Sequence, residues 1–294
     1  MHAYLEAIGF SNIHSRRSME LLQDDTVAHC MEKKIFHGED GRMLAEYSRD
    51  YASGIGLTVC GEIDGDGVFH AEYSFPYIRG GNVSTHEEIS IERHAGKDSY
   101  AGACDDARIG ITLIFYLINM GEYRTAELKK EMNPGRKSVA FSALAKEGTI
   151  LLPTKKDKEL EKISRKSEAN RKKLINAARD GDEDAIESLT MDDIDIYSVI
   201  SQRLNKEDVL SIVDSYFMPY GIECDQYSIL GTIRKCEMIR NGVTDEILCR
   251  MEIESNDLTL DVSINKNSLM GEPKPGRRFK GLIWLQGLVY FGNS

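Results

Sequence analysis

Cysteine, proline and tryptophan are scarce in this chain, and histidine stops early. Its six cysteines, at positions 30, 60, 104, 224, 236 and 249, form no Cys-x-x-Cys pair and no tight cluster. That spacing excludes a zinc ribbon and argues against a disulfide framework. All seven histidines lie at or before His94, which confines any histidine-dependent chemistry to the first third of the chain. With 25 glycines and six prolines in 294 residues, a collagen-like or Pro-rich repeat is excluded. No apolar stretch is long, since Ile109 to Ile118 is about half of what spans a bilayer. The opening MHAYLEAIGF also lacks the basic segment and continuous apolar core of a signal peptide. These absences predict a cytoplasmic, soluble protein with reduced thiols and no membrane partner.

What is present is acidic, with 48 Asp and Glu against 37 Lys and Arg, a net charge of −11. The surplus is uneven. Residues 1–153 hold 16 basic and 23 acidic side chains (−7), residues 154–181 hold 10 and 5 (+5), and residues 182–294 hold 11 and 20 (−9). The basic middle, TKKDKELEKISRKSEANRKKLINAARDG, has no proline, many good helix formers and only a thin apolar stripe. It reads as a solvated helix between two domains, 1–153 and 182–294.

In the first domain the pattern predicts a short helix over Tyr4 to Phe10 and another from Met19 to Lys34. Period-two alternation then marks strands over Ile55 to Ile63, Phe69 to Tyr77 and Thr85 to His94, separated by Asp64–Gly67 and Arg79–Asn82 turns. A helix over Asp105 to Met120 is expected to cover this meander, followed by a hairpin within Ser138 to Leu152 that turns at Lys146–Gly148. After 181 come helices, including one from Asn205, and then strands over Tyr227 to Ile239, Thr244 to Ile253, Leu258 to Ile264 and Gly281 to Phe291. Asn241-Gly242 and Asn256-Asp257 are the turns. The expected class is α+β: an antiparallel β-meander packed by a helix, a basic linker helix, and a second domain with helices and a small antiparallel β-barrel or curved sheet.

No intact catalytic motif is present. Val59 stands where a dinucleotide fingerprint starting at Gly54 needs its third glycine, and Ser90 ends the His86-Glu87 start of a zinc-protease signature. Val68 and Phe69 break the calcium-loop pattern that Asp64 begins. One constellation depends on strand register. With every apolar residue of the meander on one face, Cys60 falls opposite His70 and His70 opposite Glu92. Opposed Cβ atoms lie about 4.5–5.5 Å apart, near enough for a thiol–imidazole–carboxylate relay. The same face could hold a metal through His70, Glu92 and His86 or His94, although a solvated polar face is the more ordinary account of these residues. Cys104, before the expected helix, is a second possible nucleophile.

The basic loop Lys274, Arg277, Arg278 and Lys280 lies just before the only tryptophan, Trp284. Cationic loops beside an aromatic grip single-stranded nucleic acid, but the −9 of the same domain opposes a polyanion. Asp182 to Asp195 has seven carboxylates and no basic residue, and reads as a solvated helix face.

The segment SLTMDDIDIYSVISQRLNKEDVLSIVDSYFMPYGIECDQYSILGTI, Ser188 to Ile233, together with MHAYLEAIGF, resembles an uncharacterised bacterial family known only as a domain of unknown function. The resemblance implies a bacterial cytoplasmic protein and transfers no activity, cofactor or site. With no intact catalytic motif, the sequence favours a non-enzymatic binding, regulatory or scaffolding module with a protein partner and no cofactor. The alternatives are a thiol- or metal-dependent hydrolase using Cys60, His70 and Glu92, and a single-stranded nucleic-acid binder through the C-terminal barrel and the basic linker.

Overall fold

A computed structural model describes residues 4–38, 40–94, 99–106, 108–129, 137–153 and 213–291, with the single positions 182, 184 and 210. The chain divides into two compact units, Met1–Leu152 with Ser215–Ser294, and Pro153–Asp214. Strands from both sides of Pro153–Asp214 pair in one sheet. Residues 1–153 and 182–294 are therefore not the separate bodies that the charge segments suggested, since short-range charge counts carry no information on long-range strand pairing. The expected linker helix, the acidic Asp182–Asp195 face and the helix from Asn205 lie outside the described residues apart from those single positions.

Among the described residues the protein is mainly β with two short helices. A 3-10 turn, Glu6–Ile8, leads to α1 (Arg16–Ala28), β1 (Glu32–His37), β2 (Met43–Ala52), β3 (Ile55–Ile63), β4 (Phe69–Ile78), β5 (Ile89–Arg93), β6 (Tyr100–Asp106) and β7 (Ile111–Leu117). Helix α2 (Met120–Leu128) precedes β8 (Lys137–Leu151), and after Pro153–Asp214 come β9 (Tyr216–Pro219), β10 (Gln226–Arg240), β11 (Ile247–Ser255), β12 (Leu258–Asn265), the two-residue β13 (Leu269–Met270) and β14 (Arg278–Phe291).

β1 to β4 form a four-stranded antiparallel meander. The other ten strands form a mixed sheet in the order β13-β8-β12-β11-β10-β14-β7-β6-β5, with β9 on β10. β8 also pairs with β14, so β8, β12, β11, β10 and β14 close ring-like on themselves without making the expected barrel. β14 produces this closure by pairing with β8 along one edge and with β10 along the other. β10 pairs with β14 over its first half and with β11 over its second; both meet it at Thr232, just before a bulge in the β11 pairing between Ile233 and Lys235.

Three differences from the sequence reading matter for the site. First, the expected Asp105–Met120 helix is the β6–β7 hairpin, turned at Gly110 with φ +77°, and the helix starts only at Met120. The β-branched run of Ile109, Ile111, Thr112 and Ile114 favours strand over helix. Second, the meander gains β1, whose first residues fall in the expected Met19–Lys34 helix, and β2, and loses β5 to the other sheet, where it pairs with β6. Third, Ser138–Leu152 is one strand, not a hairpin, with Lys146 absorbed as a bulge opposite the Leu282/Ile283 step.

Both faces of the meander are covered, and β3 is buried from Ile55 to Gly61. On one face α1 docks through Gln23 Nε2, which donates to Ser74 Oγ at 2.9 Å, and an Asp25–Arg49 ion pair. On the other, Phe75 packs on Tyr116 of β7 with ring centroids 4.8 Å apart. Buried Gln286 of β14 joins the sheets: its Nε2 donates to Pro76 O at 2.8 Å and its Oε1 accepts from Ile78 N at 3.1 Å. No helix among the described residues is long and apolar enough to cross a membrane.

Candidate functional site

The register of the meander decides which side chains meet. Asp64 Oδ1 accepts the amides of Asp66 and Val68, and Gly67 takes φ +82°, so the β3–β4 turn is longer than a two-residue hairpin. Ile63 consequently pairs with Phe69 and Glu62 with His70. A bulge between Cys60 and Gly61 then shifts the pairing by one, bringing Cys60 opposite Tyr73. This slip separates the expected relay. Cys60 is 2% exposed, His70 is exposed with its Nε2 2.7 Å from Asp64 Oδ2, and Glu92 sits exposed on β5 in the other sheet. His94 hydrogen-bonds Ser99 Oγ at 2.9 Å, and His86 is exposed. Among the described residues no group of three His, Cys, Asp or Glu is placed to hold a metal. Cys104 lies inside β6 and not at a helix start, where burial, with Asp106 beside it, pushes its thiol up to about 12.

The C-terminal basic residues are also dispersed. Lys274 and Arg277 both pair with Glu272, at 2.9 and 3.5 Å, and Arg278 is buried with Nε donating to Leu152 O. Lys280 is half-buried in β14. Trp284 is buried, stacked on Tyr4 (5.5 Å) and against Tyr116 (5.0 Å), with Nε1 donating to Asp225 Oδ2 at 2.7 Å. The ring is part of the core and offers no open face to a base.

A different row of side chains crosses the whole meander. Lys34 of β1 pairs with Glu46 of β2, Glu46 with Cys60 of β3, and Cys60 with Tyr73 of β4. Above this row sits the first turn of α2. Gly121 N donates to Glu46 Oε2 at 3.2 Å, and the Tyr73 hydroxyl reaches Met120 Sδ at 3.9 Å. Asn119 fixes the turn to β14, giving Nδ2 to Val289 O and taking Val289 N on Oδ1. Lys34 Nζ bridges Glu122 at 2.6 Å and Glu32 at 3.0 Å.

Glu46 is 4% exposed, and its Oε1 has no hydrogen-bond partner among the described residues. Burial pushes its carboxyl up to about 7, against the opposing pull of Lys34 and the Gly121 amide. The Cys60 thiol is held far above its ordinary value by burial and then by Glu46, and Tyr73 and Tyr116 are raised chiefly by burial. The row therefore contains one acid able to exchange a proton near neutrality and a thiol kept in its unreactive form.

Gly121 has a second side. With Thr125, Ala126, Ile35 of β1 and the Tyr290–Phe291 end of β14, it lines a cleft of about 470 Å³, which the Lys34–Glu122 pair also borders. Gly38 N donates to Arg42 O, and continuing this register makes residues 36 and 34 the pairs bonded to β2. By alternation, the backbone groups of Lys33, Ile35 and His37 lie along the outer edge of β1. No described strand pairs with that edge. Ile35, Leu128 and Tyr290 are exposed apolar side chains on the three elements that line the cleft. Lys34 and Glu46 were not legible as site residues, because β1 and β2 were not recognised as members of the meander.

The fold and its site define a mainly-β protein in which a glutamate with a raised carboxyl pKa, Glu46, is buried under a helix start that also walls a surface cleft. Over residues 5–287 the sequence matches the family described as "Domain of unknown function, E. rectale Gene description (DUF3881)", and the chain belongs to that family. Neither the curated proteins nor the solved structures include a match.

Proposed function

We propose that this protein is a non-enzymatic binding module that captures an extended segment of a partner protein by strand addition to the outer edge of β1. The observation that carries this is the edge at Lys33, Ile35 and His37, which no described strand pairs, running beside the cleft that α2 lines. Such an edge supplies backbone donors and acceptors in the spacing of a strand, and the cleft receives alternate side chains of the guest. The guest is expected to be apolar where it meets Ile35 and Tyr290. It should carry acidic residues next to Lys33, which has no carboxylate partner among the described residues and lies 4.9 Å over the Tyr47 ring. The proposal includes a cytoplasmic setting, with which the six free cysteines agree.

The test is photo-crosslinking from a benzophenone amino acid at position 35, followed by synthesis of the captured peptide. That peptide should slow amide exchange at Ile35 and His37, and Ile35→Pro, which removes an outward N–H without touching the β2 pairing, should abolish the effect. Unchanged exchange at those amides overturns the reading. A crosslink to a second copy of the same chain, with concentration-dependent dimerisation lost in Ile35→Pro, also overturns it in favour of self-association.

A further inference from the structure

We infer that the protonation state of Glu46 sets the seat of the first turn of α2 and thereby the width of the cleft. This rests on the cleft being the binding site. Three observations support it. Gly121 is a wall of the cleft on one side and the hydrogen-bond donor to Glu46 on the other, so the acid and the cleft share a backbone unit. The seat is tight, since a Cβ placed on Gly121 would lie 2.7 Å from Glu46 Oε2 and 3.1 Å from the Phe36 ring. Finally, Oε1 is buried without a partner, a state tolerable for a neutral carboxyl and costly for a carboxylate.

The groups facing Glu46 determine how it accommodates a charge. From β1 these are Lys34 and Glu32, from β3 Cys60, from β4 Tyr73, from β7 Tyr116 and from α2 Glu122. Only Lys34 is cationic. It is the direct cross-strand neighbour of Glu46, and at present it is held by Glu122 and Glu32. Ionised Glu46 draws the ammonium inward, the Lys34–Glu122 bridge loosens, and α2 loses one of its ties to β1. Burial places the proton exchange of Glu46 near neutral pH, where this change can be driven.

Backbone and lysine-ammonium NMR across about pH 6 to about pH 8 tests the coupling. The Gly121 amide, the Lys34 ammonium and the Ala126 amide should titrate with one midpoint. Glu46→Gln should hold all three at their low-pH positions, and Lys34→Met should leave the Gly121 titration while removing that of Ala126. The affinity of the crosslinked peptide should change by about tenfold across the same range in the native chain and stay flat in Glu46→Gln. Titration of Gly121 with Ala126 unmoved overturns the inference. A coupled titration with no peptide bound to β1 overturns the strand-addition reading alone.

Discussion

The Gly121 amide donates to Glu46 Oε2 at 3.2 Å, while the other carboxyl oxygen of Glu46 is buried and meets no donor among the described residues. A carboxyl in that position keeps its proton to about pH 7, whereas a glutamate of ordinary value 4.5 loses it well below. Between those two values the folded chain binds the extra proton, so the contribution to stability is complete below the lower one and is lost as the pH rises through the upper. The loss is on the order of 3 kcal/mol. Glu46→Gln, which has no proton to lose, should flatten the pH dependence in that window and be more stable than the native chain above it. Urea denaturation at a series of pH values measures both. An unchanged slope in Glu46→Gln would assign the pH dependence to other groups.

Gly121→Ala tests the close approach itself. In an ordinary helix the change stabilises by up to about 1 kcal/mol. Here the new Cβ falls 2.7 Å from Glu46 Oε2, and overpacking of this kind costs about 1–3 kcal/mol, so the net effect should be destabilising. In a Glu46→Ala background the nearest obstacle is gone and at least half of the cost should disappear, leaving only the Phe36 ring. A double-mutant cycle by urea denaturation reads the difference directly. Equal costs in the two backgrounds would mean that Glu46 does not set the packing at Gly121.

Part of this arrangement was legible in the sequence. Alternation gave β3 its observed bounds, Ile55–Ile63, and β4 to within one residue at its end. The same alternation could not say what lay on the polar side. Thr58 and Cys60 read as solvated, yet they are buried because α2 and the second sheet cover that face. A one-residue bulge at Cys60/Gly61 is equally silent in the hydrophobic pattern, although it decides that Cys60 faces Tyr73 and not His70. Resemblance to the family was legible from Ser188 to Ile233 and from the opening residues, and it carried no site because none was attached to it.

The Asn241-Gly242 turn was also readable, but its tertiary role was not. Buried Asn241 takes the amides of Val243 and Thr244 on Oδ1 and gives Nδ2 to Ile8 O at 2.8 Å, tying the start of the chain to the β10–β11 connection. Asn241→Ala leaves those groups without partners and should cost about 2 kcal/mol. Amide exchange should accelerate at Val243 and Thr244, and limited proteolysis should reach the first ten residues sooner. A loss of stability with neither change would place the effect elsewhere.

Gln286 performs the same service between the sheets, acting as a peptide group for Pro76 O and Ile78 N. Gln286→Leu keeps much of the volume and removes both bonds. With Ile78 N buried and unsatisfied, the cost should be about 2–4 kcal/mol, with faster exchange of the Ile78 amide than of its neighbours in β4. Uniform acceleration along β4 would indicate general loosening and not the loss of this joint.

Thiol reactivity separates a closed structural row from an activated nucleophile. Cys224 is exposed, and Cys30 and Cys236 are half-buried, whereas Cys60, Cys104 and Cys249 are 2%, 1% and 0% exposed. Burial raises all three buried thiols, Cys104 and Cys249 to about 12 and Cys60 well above its ordinary value, with Glu46 adding to the effect at Cys60. Since the thiolate is the reacting species, a neutral aromatic disulfide reagent at about pH 7.5 should label Cys224 first and leave Cys60 untouched until the chain unfolds. Labelling of Cys60 should then follow the unfolding transition in urea, and Cys60→Ala should leave the partner-peptide affinity unchanged. Native-state modification of Cys60 faster than Cys224 would show an open, ionised thiol and favour the thiol-hydrolase alternative over the binding reading.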